Sequence, residues 1–284
     1  MKIMVYEARP DERADLEKQA ALHGVELSVT DAVPTLENAS LAAGCIGVSI
    51  LGQGCIDAAL LDAYHALGIR YLSTRTIGYD HIDLDHARSI GLRVCSASYA
   101  PNGVADFTVM MILMCLRHYK QALWRGQVND FSLTGLQGRE MKDLTIGIIG
   151  TGRIGAQVAR NLSGFGCRIL AYDLRRNPAV EPQVTYVDFD TLLAQSDVIT
   201  LHMPLLDSNR HIINRESIAK MRDGVVIVNC SRGELADIEA LIEGIETGKI
   251  GALGMDTVEG DEGIIHADHR VDILPNRNWF NLHQ

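Results

Sequence analysis

Residues 147–155 read Gly-Ile-Ile-Gly-Thr-Gly-Arg-Ile-Gly and contain a glycine motif formed by Gly150, Gly152 and Gly155. An apolar stretch, 145–149, precedes the motif and predicts a strand, and residues 154–162 predict a helix after it. In such a turn the first glycine permits the tight bend and the second lets the backbone approach a pyrophosphate. The third lets the helix pack closely on the strand. The motif therefore predicts a dinucleotide-binding βαβ unit.

The residues after the motif favour NAD as the dinucleotide. The backbone N–H groups at the start of the helix, including those of Arg153 and Ile154, are placed to bind phosphate. A second predicted strand ends at Asp173, at the offset of about 20 residues where a carboxylate binds the adenosine ribose and repels a 2′-phosphate. Arg175 and Arg176 follow; they either soften this preference or form a solvated basic turn.

Strands and helices alternate on both sides of the motif. Strands are predicted at 2–6, 45–51, 71–74 and 93–96, with helices between them that end at glycines. The pattern changes at residues 99–102, and a second alternation of strands and helices begins at Leu144. This rhythm predicts an α/β protein with two doubly wound parallel-sheet domains, divided after residue 99.

One long helix is predicted between the two alternations. Asn102 is a candidate N-cap, and the helix is expected to reach about Trp124, followed by a polar connector at 126–143. Its stretch 107–116 is apolar nearly all round, so it belongs either in the core of one domain or at a subunit interface.

The composition excludes several classes of protein. The net charge is −10, which argues against nucleic acid or an anionic membrane as the main partner. The six cysteines form no Cys-x-x-Cys pair and most lie in apolar runs, so we expect buried free thiols rather than a metal site or a disulfide framework. The N-terminus does not resemble a signal peptide, and the longest apolar run, 109–116, is too short to span a bilayer. We therefore expect a cytoplasmic protein without a bound metal.

Candidate site residues follow several predicted strands, at the edge of a parallel sheet where ligands bind. They are His202 and Pro204, then Cys230, Ser231 and Arg232, then Asp256, Glu259, Asp261 and Glu262, and in the first domain Arg75 to His81. A guanidinium can clamp a carboxylate through two hydrogen bonds, and a carboxylate can raise the pKa of a catalytic imidazole. Taken singly, the simpler explanations are that Arg232 caps a turn and that the acidic run is a solvated loop.

Taken together, these stretches resemble the family of D-isomer-specific 2-hydroxyacid dehydrogenases, most closely its D-lactate and D-2-hydroxyisocaproate branch, which includes the vancomycin-resistance D-lactate dehydrogenases. The resemblance covers essentially the whole chain. It is carried by STRTIGYDHID (73–83), YAPNGVAD (99–106), GIIGTGRIG (147–155), TLHMPL (200–205), VNCSRGELAD (228–237) and GMDTVEGDE (254–262).

The resemblance implies NAD-dependent reduction of a 2-oxo acid to the (R)-2-hydroxy acid by a homodimer, with the helix that starts at residue 102 in the dimer interface. It implies a Rossmann NAD domain, residues 100–284, inserted in a flavodoxin-like substrate domain whose N-terminal part is residues 1–99. The site residues it implies are Gly78, Tyr79 and Arg232 for the substrate carboxylate, Tyr99 in the substrate pocket, His202, Pro204, Cys230 and Asp256 near the cofactor, and Asp261 or Glu262 as the catalytic carboxylate.

The chain departs from the family pattern in two places. The family's catalytic glutamate falls at Asp261, with Glu262 next, so either carboxylate is a candidate. The family's proton-transferring histidine, in a Pro/Gln-His-x-Ala-Phe/Tyr segment, has no counterpart among His266, His269 and His283. We therefore expect a chain that lacks the returning part of the substrate domain and is nearly inactive by itself.

Two other functions are compatible with these residues. The first is a non-catalytic NAD(H)-sensing protein of the same fold, although a pure sensor needs neither Arg232 nor the acidic pair. The second is an enzyme for a phosphorylated or one-carbon substrate. A phosphorylated substrate calls for extra basic residues near 75–80, where only Arg75 is present.

Overall fold

A computed structural model describes residues 1–261, 264, 265, 269, 270 and 278. The chain forms two compact units, Met1–Tyr99 and Ala100–Gln284. Each unit contains one sheet in which every neighbouring pair of strands is parallel. The predicted α/β class with two parallel sheets is therefore confirmed.

The first unit has a sheet with the strand order β2-β1-β3-β4-β5, which is the flavodoxin-like order. Its strands are β1 (Lys2–Val5), β2 (Glu26–Val29), β3 (Gly47–Ile50), β4 (Tyr71–Thr74) and β5 (Arg93–Ser96), and its helices are α1 (Arg13–His23), α2 (Ala58–Ala66) and α3 (Leu84–Ser89).

The second unit has a sheet with the order β11-β10-β9-β6-β7-β8, which is the Rossmann order. Its helices are α4 (Asn102–Leu116), α5 (Tyr119–Gln127), α6 (Arg153–Ser163), α7 (Phe189–Gln195), α8 (Arg215–Lys220) and α9 (Ile238–Glu246). Its strands are β6 (Thr145–Ile149), β7 (Arg168–Tyr172), β8 (Thr185–Tyr186), β9 (Val198–Leu201), β10 (Val225–Asn229) and β11 (Ile250–Met255).

The central strands of the second sheet are buried from end to end. Every residue of β6, β9 and β10 is buried, as expected for parallel strands covered on both faces. One apolar cluster packs α4 and α6 on one face, and another packs α7, α8 and α9 on the other. Polar side chains therefore concentrate at the carboxyl edge of this sheet. In the part of the chain that the structure describes, no helix is long and apolar enough to cross a bilayer.

The single helix predicted from Asn102 to about Trp124 is wrong. The structure has two helices, because His118 adopts a left-handed conformation with φ of 49° between α4 and α5. Asn102 is the first residue of α4 and Pro101 occupies the N-cap position, so the predicted Asn102 cap is also wrong. The connector predicted from residue 126 begins later, since α5 continues to Gln127.

Two smaller features also differ from expectation. Sequence reasoning missed β2, whose four residues Glu-Leu-Ser-Val are exposed or half-buried and carry little apolar signal. All six cysteines are free, but Cys55 and Cys95 are exposed rather than buried. Both follow from placement at sheet edges and in loops, which the local composition does not reveal.

A buried carboxylate organises the carboxyl edge of the first sheet. Glu7, directly after the β1 region, is 2% exposed and accepts hydrogen bonds from four consecutive backbone N–H groups, those of Leu51, Gly52 (2.8 Å), Gln53 (2.8 Å) and Gly54 (3.0 Å). Glu7 itself has φ of 55°, which is strained for a residue with a side chain. The carboxylate thus fixes the loop that follows β3.

We expect Glu7→Gln to lower the free energy of unfolding of the first unit by about 2–4 kcal/mol, because the amide leaves buried N–H donors facing its own NH2 group. Urea unfolding measures the loss, and hydrogen exchange of the amides at 51–54 localises it. The exposed Glu17→Gln, on α1, is the matched control and is expected to stay within about 0.5 kcal/mol of wild type. Equal unfolding midpoints for the two variants would contradict the assigned role of the carboxylate.

Candidate active site

The glycine motif forms the tight turn between β6 and α6. Gly150 has φ of 94°, and a Cβ placed on it would lie 2.6 Å from the carbonyl oxygen of His202. A Cβ on Gly155 would lie 1.9 Å from the carbonyl oxygen of Gly150. At Gly152, by contrast, a Cβ would meet no atom of the described residues within 4 Å. The first and third glycines therefore hold the turn together, and the second opens onto free space.

The open side of this turn fits a pyrophosphate. Gly152 is the N-cap of α6 and has no side chain to bond the N–H groups of the first helical turn. The first intrahelical bond runs from the N–H of Ala156 to the carbonyl oxygen of Gly152 at 2.9 Å. The N–H groups of Arg153, Ile154 and Gly155 precede that bond at the positive end of the helix dipole. This is the arrangement that binds phosphate groups.

The carboxylate of Asp173 lies beside the glycine turn, immediately after β7. One oxygen accepts hydrogen bonds from the backbone N–H (2.6 Å) and the hydroxyl (3.0 Å) of Thr151. The other oxygen accepts from the backbone N–H of Arg175 at 2.9 Å. The structure therefore brings together the predicted phosphate-binding turn and the predicted ribose-binding carboxylate. Sequence reasoning missed Thr151, although its position inside the motif is a signal.

His202 lies at the end of β9 against the glycine turn. Its side chain is buried, and its Nε2 is 2.9 Å from the hydroxyl of Thr200. Burial lowers the pKa of His202 to about 3, so the imidazole is neutral near pH 7. Its position against the glycine turn fits the predicted place near a cofactor. Pro204 follows, and its carbonyl oxygen accepts from the amide of Asn209 at 2.8 Å.

The buried neutral His202 makes stability depend on pH. The unfolded chain takes up a proton at this residue near pH 6.5, whereas the folded chain does so only near pH 3. Between these values the unfolded state binds more protons, so stability falls on acidification by up to about 1.4 kcal/mol per pH unit. We expect His202→Gln to flatten the free energy of unfolding measured by urea between pH 6.5 and 4. Parallel acid limbs for variant and wild type would contradict this expectation.

Cys230 directly follows the neighbouring strand, β10, and is buried. Burial is the main cause that raises the pKa of its thiol to about 11, so the sulfur stays protonated at neutral pH. A protonated thiol is a poor nucleophile. Its position at the carboxyl end of β10, beside the end of β9, fits the predicted place near a cofactor.

Arg232 is held in a rigid turn after β10. The fully buried Asn229 donates from its side-chain amide to the carbonyl oxygen of Arg232 at 2.7 Å and accepts from the N–H of Ser231 at 3.0 Å. The hydroxyl of Ser231 donates to the carbonyl oxygen of Leu201 on β9 at 2.9 Å. The guanidinium of Arg232 donates to the carbonyl oxygen of Ser231 at 2.9 Å. These bonds fix the backbone from which the guanidinium projects.

The acidic segment after β11 packs on this turn. A Cβ on Gly233 would lie 2.3 Å from the backbone carbon of Val258, so only glycine permits the contact. Glu259 is anchored by Nε2 of His211 at 2.8 Å and by Arg210 at 3.0 Å. Arg232 and the acidic segment are therefore coupled through the adjacent Gly233. Sequence reasoning missed the His211 contact, which joins residues 48 positions apart.

The predicted carboxylates of this segment differ in their surroundings. Partial burial, followed by the charge of Asp261, raises the pKa of Asp256 above its usual value. The carboxylate of Asp261 accepts from the N–H of Val258 at 3.1 Å. Glu262 lies outside the described residues, as do His266 and His283, so the structure does not decide between Asp261 and Glu262. His269 is described, and its Nε2 is 3.1 Å from the carbonyl oxygen of Ile264.

In the first unit, Gly78 and Tyr79 lie in the loop after β4. The hydroxyl of Thr76 donates to the carbonyl oxygen of Gly78 at 2.6 Å, which ties the start of this loop to its middle. The side chains of Tyr79 and Tyr99 are 52% and 48% exposed and are accessible to a ligand. These three residues share the carboxyl edge of one sheet, where ligands of doubly wound sheets bind.

Arg75 begins the same loop but points into the unit. Its guanidinium donates to the carbonyl oxygens of Tyr6 (2.9 Å) and Glu7 (3.1 Å) and forms an ion pair with Glu12 at 3.0 Å. The side chain is 15% exposed. Arg75 is thus a structural residue, which weakens the reading in which it binds a phosphorylated substrate.

Comparison with known proteins gives consistent matches. A profile of the family described as D-isomer specific 2-hydroxyacid dehydrogenase, NAD binding domain, matches residues 109–279. The aromatic 2-oxoacid reductase of Clostridium sporogenes is 41% identical over 278 residues, which cover 96% of this chain and 83% of the reductase. The D-lactate dehydrogenase of Lactobacillus delbrueckii subsp. bulgaricus is 40% identical, with 99% and 85% covered. The solved pyruvate reductase of Chlamydomonas reinhardtii superimposes with a TM-score of 0.88 at 35% identity, covering 100% of this chain and 86% of that chain.

Proposed function

The chain belongs to the D-isomer specific 2-hydroxyacid dehydrogenase family, and on that premise we propose that it reduces a 2-oxo acid to the (R)-2-hydroxy acid with NADH. The observation that carries this proposal is the carboxyl edge of the second sheet. There the glycine turn, the Asp173 carboxylate and the turn that presents Arg232 follow β6, β7 and β10. The names of the relatives reported above describe reductases of 2-oxo acids and a dehydrogenase of D-lactate, which is a 2-hydroxy acid.

The residues of the glycine turn fit NAD. The N–H groups at the start of α6 would bind the pyrophosphate, and Asp173 the adenosine ribose, while His202, Pro204, Cys230 and Asp256 would line the nicotinamide side. NADH supplies the hydride that reduces the carbonyl carbon when it is bound. Because His202 and Cys230 are neutral, they shape this side of the site without contributing charge.

Arg232 is assigned to the 2-oxo acid. A guanidinium can hold the carboxylate through two N–H donors and polarise the adjacent carbonyl, which favours attack at its carbon. We assign the substrate carboxylate also to the backbone N–H groups of Gly78 and Tyr79, and the substrate side chain to Tyr99. The new hydroxyl needs a proton, which we assign to an imidazole oriented by Asp261 or Glu262.

The assay follows NADH absorbance with pyruvate, 2-oxoisocaproate and phenylpyruvate, three 2-oxo acids that differ in side-chain size. The protein is expressed from its whole gene. We expect NADH to be oxidised in the presence of at least one of these acids and the (R)-2-hydroxy acid to be formed. Tight NADH binding without turnover of any 2-oxo acid would support the NAD(H) sensor and overturn the reductase. The relative rates also identify the side chain that the enzyme prefers.

We further propose a homodimer formed through α4 and α5. Apolar side chains are exposed on these helices, including Phe107 at 36% and Met110 at 44%. Beside them lies a groove of about 820 Å³ lined mainly by apolar residues of α4, together with Tyr119. Large exposed apolar surfaces of this kind favour association. Light scattering of the purified protein tests the dimer.

We also propose a cytoplasmic location for the protein, because its six free thiols favour a reducing compartment.

A further inference from the structure

Four residues form a chain of hydrogen bonds that ends at the carboxylate of Asp173. The backbone N–H of Asn177 donates to the hydroxyl oxygen of Tyr186 at 2.9 Å. That hydroxyl donates to the hydroxyl oxygen of Thr151 at 2.8 Å, and Thr151 donates in turn to Asp173 at 3.0 Å. We call this series the Tyr186 relay. It joins the glycine turn, the loop after β7 and the edge strand β8.

The relay has only one possible direction. A backbone N–H can only donate and an ionised carboxylate can only accept, so each hydroxyl between them must accept from one neighbour and donate to the next. Hydrogen bonds arranged in this way polarise and strengthen one another. The side-chain amide of Asn177 also donates to the carbonyl oxygen of Thr151 at 2.8 Å, which closes a ring around the relay. The Tyr186 hydroxyl therefore contributes to the orientation of Asp173 although it does not touch it.

The ring of Tyr186 has a separate partner. The guanidinium carbon of Arg176 lies over this ring, 5.5 Å from its centroid, within the range of a cation–π contact. Arg176 is three residues beyond Asp173 on an otherwise exposed turn. Like Arg175, it is close enough in sequence to reach toward a ribose 2′-phosphate. An arginine in that region is what accommodates the 2′-phosphate of NADP in this fold. The contact with the tyrosine ring thus competes with any contact between Arg176 and a 2′-phosphate.

We propose that Tyr186 is a positioning residue that sets the preference for NAD over NADP through these two contacts. Its hydroxyl holds the Asp173 carboxylate toward the ribose hydroxyls by way of Thr151, and its ring retains Arg176. The inference rests on the proposed use of NAD(H), and it adds the residue that sets the preference for NAD over NADP. It also adds a role to the two left open for Arg176, in which the arginine rests on the ring of Tyr186.

Two substitutions separate the two contacts. Tyr186→Phe keeps the ring and removes the relay; we expect NADH to bind about fivefold more weakly, the effect of one lost hydrogen bond, with no loss of NADPH affinity. Tyr186→Leu removes both contacts and frees Arg176. For this variant we expect the same loss for NADH and a gain for NADPH of about tenfold, as one new charge-assisted contact to phosphate gives.

The experiment measures dissociation constants of NADH and NADPH by fluorescence titration, which requires no turnover. The double variant Tyr186→Leu/Arg176→Ala must lose the NADPH gain, whereas Arg176→Ala alone must change neither constant. Tyr172→Phe is the matched control, because Tyr172 ends β7 next to Asp173 and its ring contacts Phe189. Its ratio of NADPH to NADH affinity is expected to equal that of wild type. Thermal unfolding of each variant verifies that it is folded.

Each outcome has a distinct meaning. A fall in the selectivity ratio for both Tyr186 variants, with the NADPH gain dependent on Arg176, supports the proposal. An equal loss of affinity for both dinucleotides would assign Tyr186 a merely structural role and overturn it, as would an unchanged ratio. If wild type itself binds neither dinucleotide, the proposed function fails as well. If wild type binds NADH and the variants keep its selectivity, only the role of Tyr186 fails.

Discussion

Alanine at Gly155 is expected to abolish NADH binding and to lower the thermal stability of the second unit, whereas alanine at Gly152 is expected to weaken binding alone. A Cβ on Gly155 would lie 1.9 Å from the carbonyl oxygen of Gly150, so either α6 or the turn must move. Because two packed backbone segments must move, we expect Gly155→Ala to lower the free energy of unfolding by about 4 kcal/mol or more, which is exceptional for a single substitution. The displaced helix would carry the phosphate-binding N–H groups away from the turn.

Gly152 behaves differently because its surroundings are open. Its φ of −63° and ψ of −162° are accessible to alanine, and the Cβ contacts nothing within 4 Å among the described residues. The fold is therefore unchanged, but the methyl group occupies the space that the pyrophosphate must approach. We expect NADH affinity to fall at least about tenfold, or 1.4 kcal/mol, without a change in melting temperature.

Fluorescence titration with NADH and thermal unfolding measure the two effects separately. Gly103→Ala is the control, since a Cβ there also meets open space and alanine is the better helix former. It is expected to bind NADH as wild type does. A Gly152→Ala variant that melts early, or a Gly155→Ala variant that binds NADH normally, would contradict the division of roles between the glycines.

The sequence predicts these glycines well because the strand, the turn and the helix that they join are consecutive along the chain, within residues 145–163. The offset to Asp173 is likewise a property of the βαβ unit. The alternation of apolar strands with helices likewise predicts both sheets, since buried parallel strands are continuous apolar runs. What the pattern misses is local: β2 has little apolar signal, and a left-handed residue at His118 separates the apolar α4 from the more polar α5.

Polar groups that act over long sequence distances were not predictable. Glu7 is bound by N–H groups 44–47 residues away, and the Tyr186 hydroxyl reaches Thr151 across 35 residues. Neither residue belongs to a motif, and both sit among residues that read as ordinary strand ends. Arg75 shows the converse, because a basic residue in a predicted substrate loop turns inward to backbone carbonyls. Only the folded register reveals which polar side chain is structural.

The second large effect is expected at Arg232. The side chains of Asn229 and Ser231 hold its backbone, and these bonds remain when the Arg232 side chain is replaced, although the bond from the guanidinium to the carbonyl oxygen of Ser231 is lost. Arg232→Gln is expected to lower kcat/KM for the preferred 2-oxo acid about 10³-fold, since a preorganised charged donor at the reacting carbonyl is worth that much. Arg232→Lys keeps the charge but not the planar fork, and about a 10²-fold loss is expected.

These losses must be confined to the 2-oxo acid. The dissociation constant of NADH and the melting temperature are expected to match wild type, because the phosphate-binding turn after β6 and the Asp173 carboxylate are untouched. Arg215→Gln is the matched control, as this arginine on α8 forms an exposed ion pair with Glu243 at 2.6 Å. Such a pair contributes about 0–1 kcal/mol to stability and nothing to the site. If Arg232→Gln retains wild-type kcat/KM, the guanidinium is a turn cap after all, and the carboxylate of the substrate must be bound by another cation.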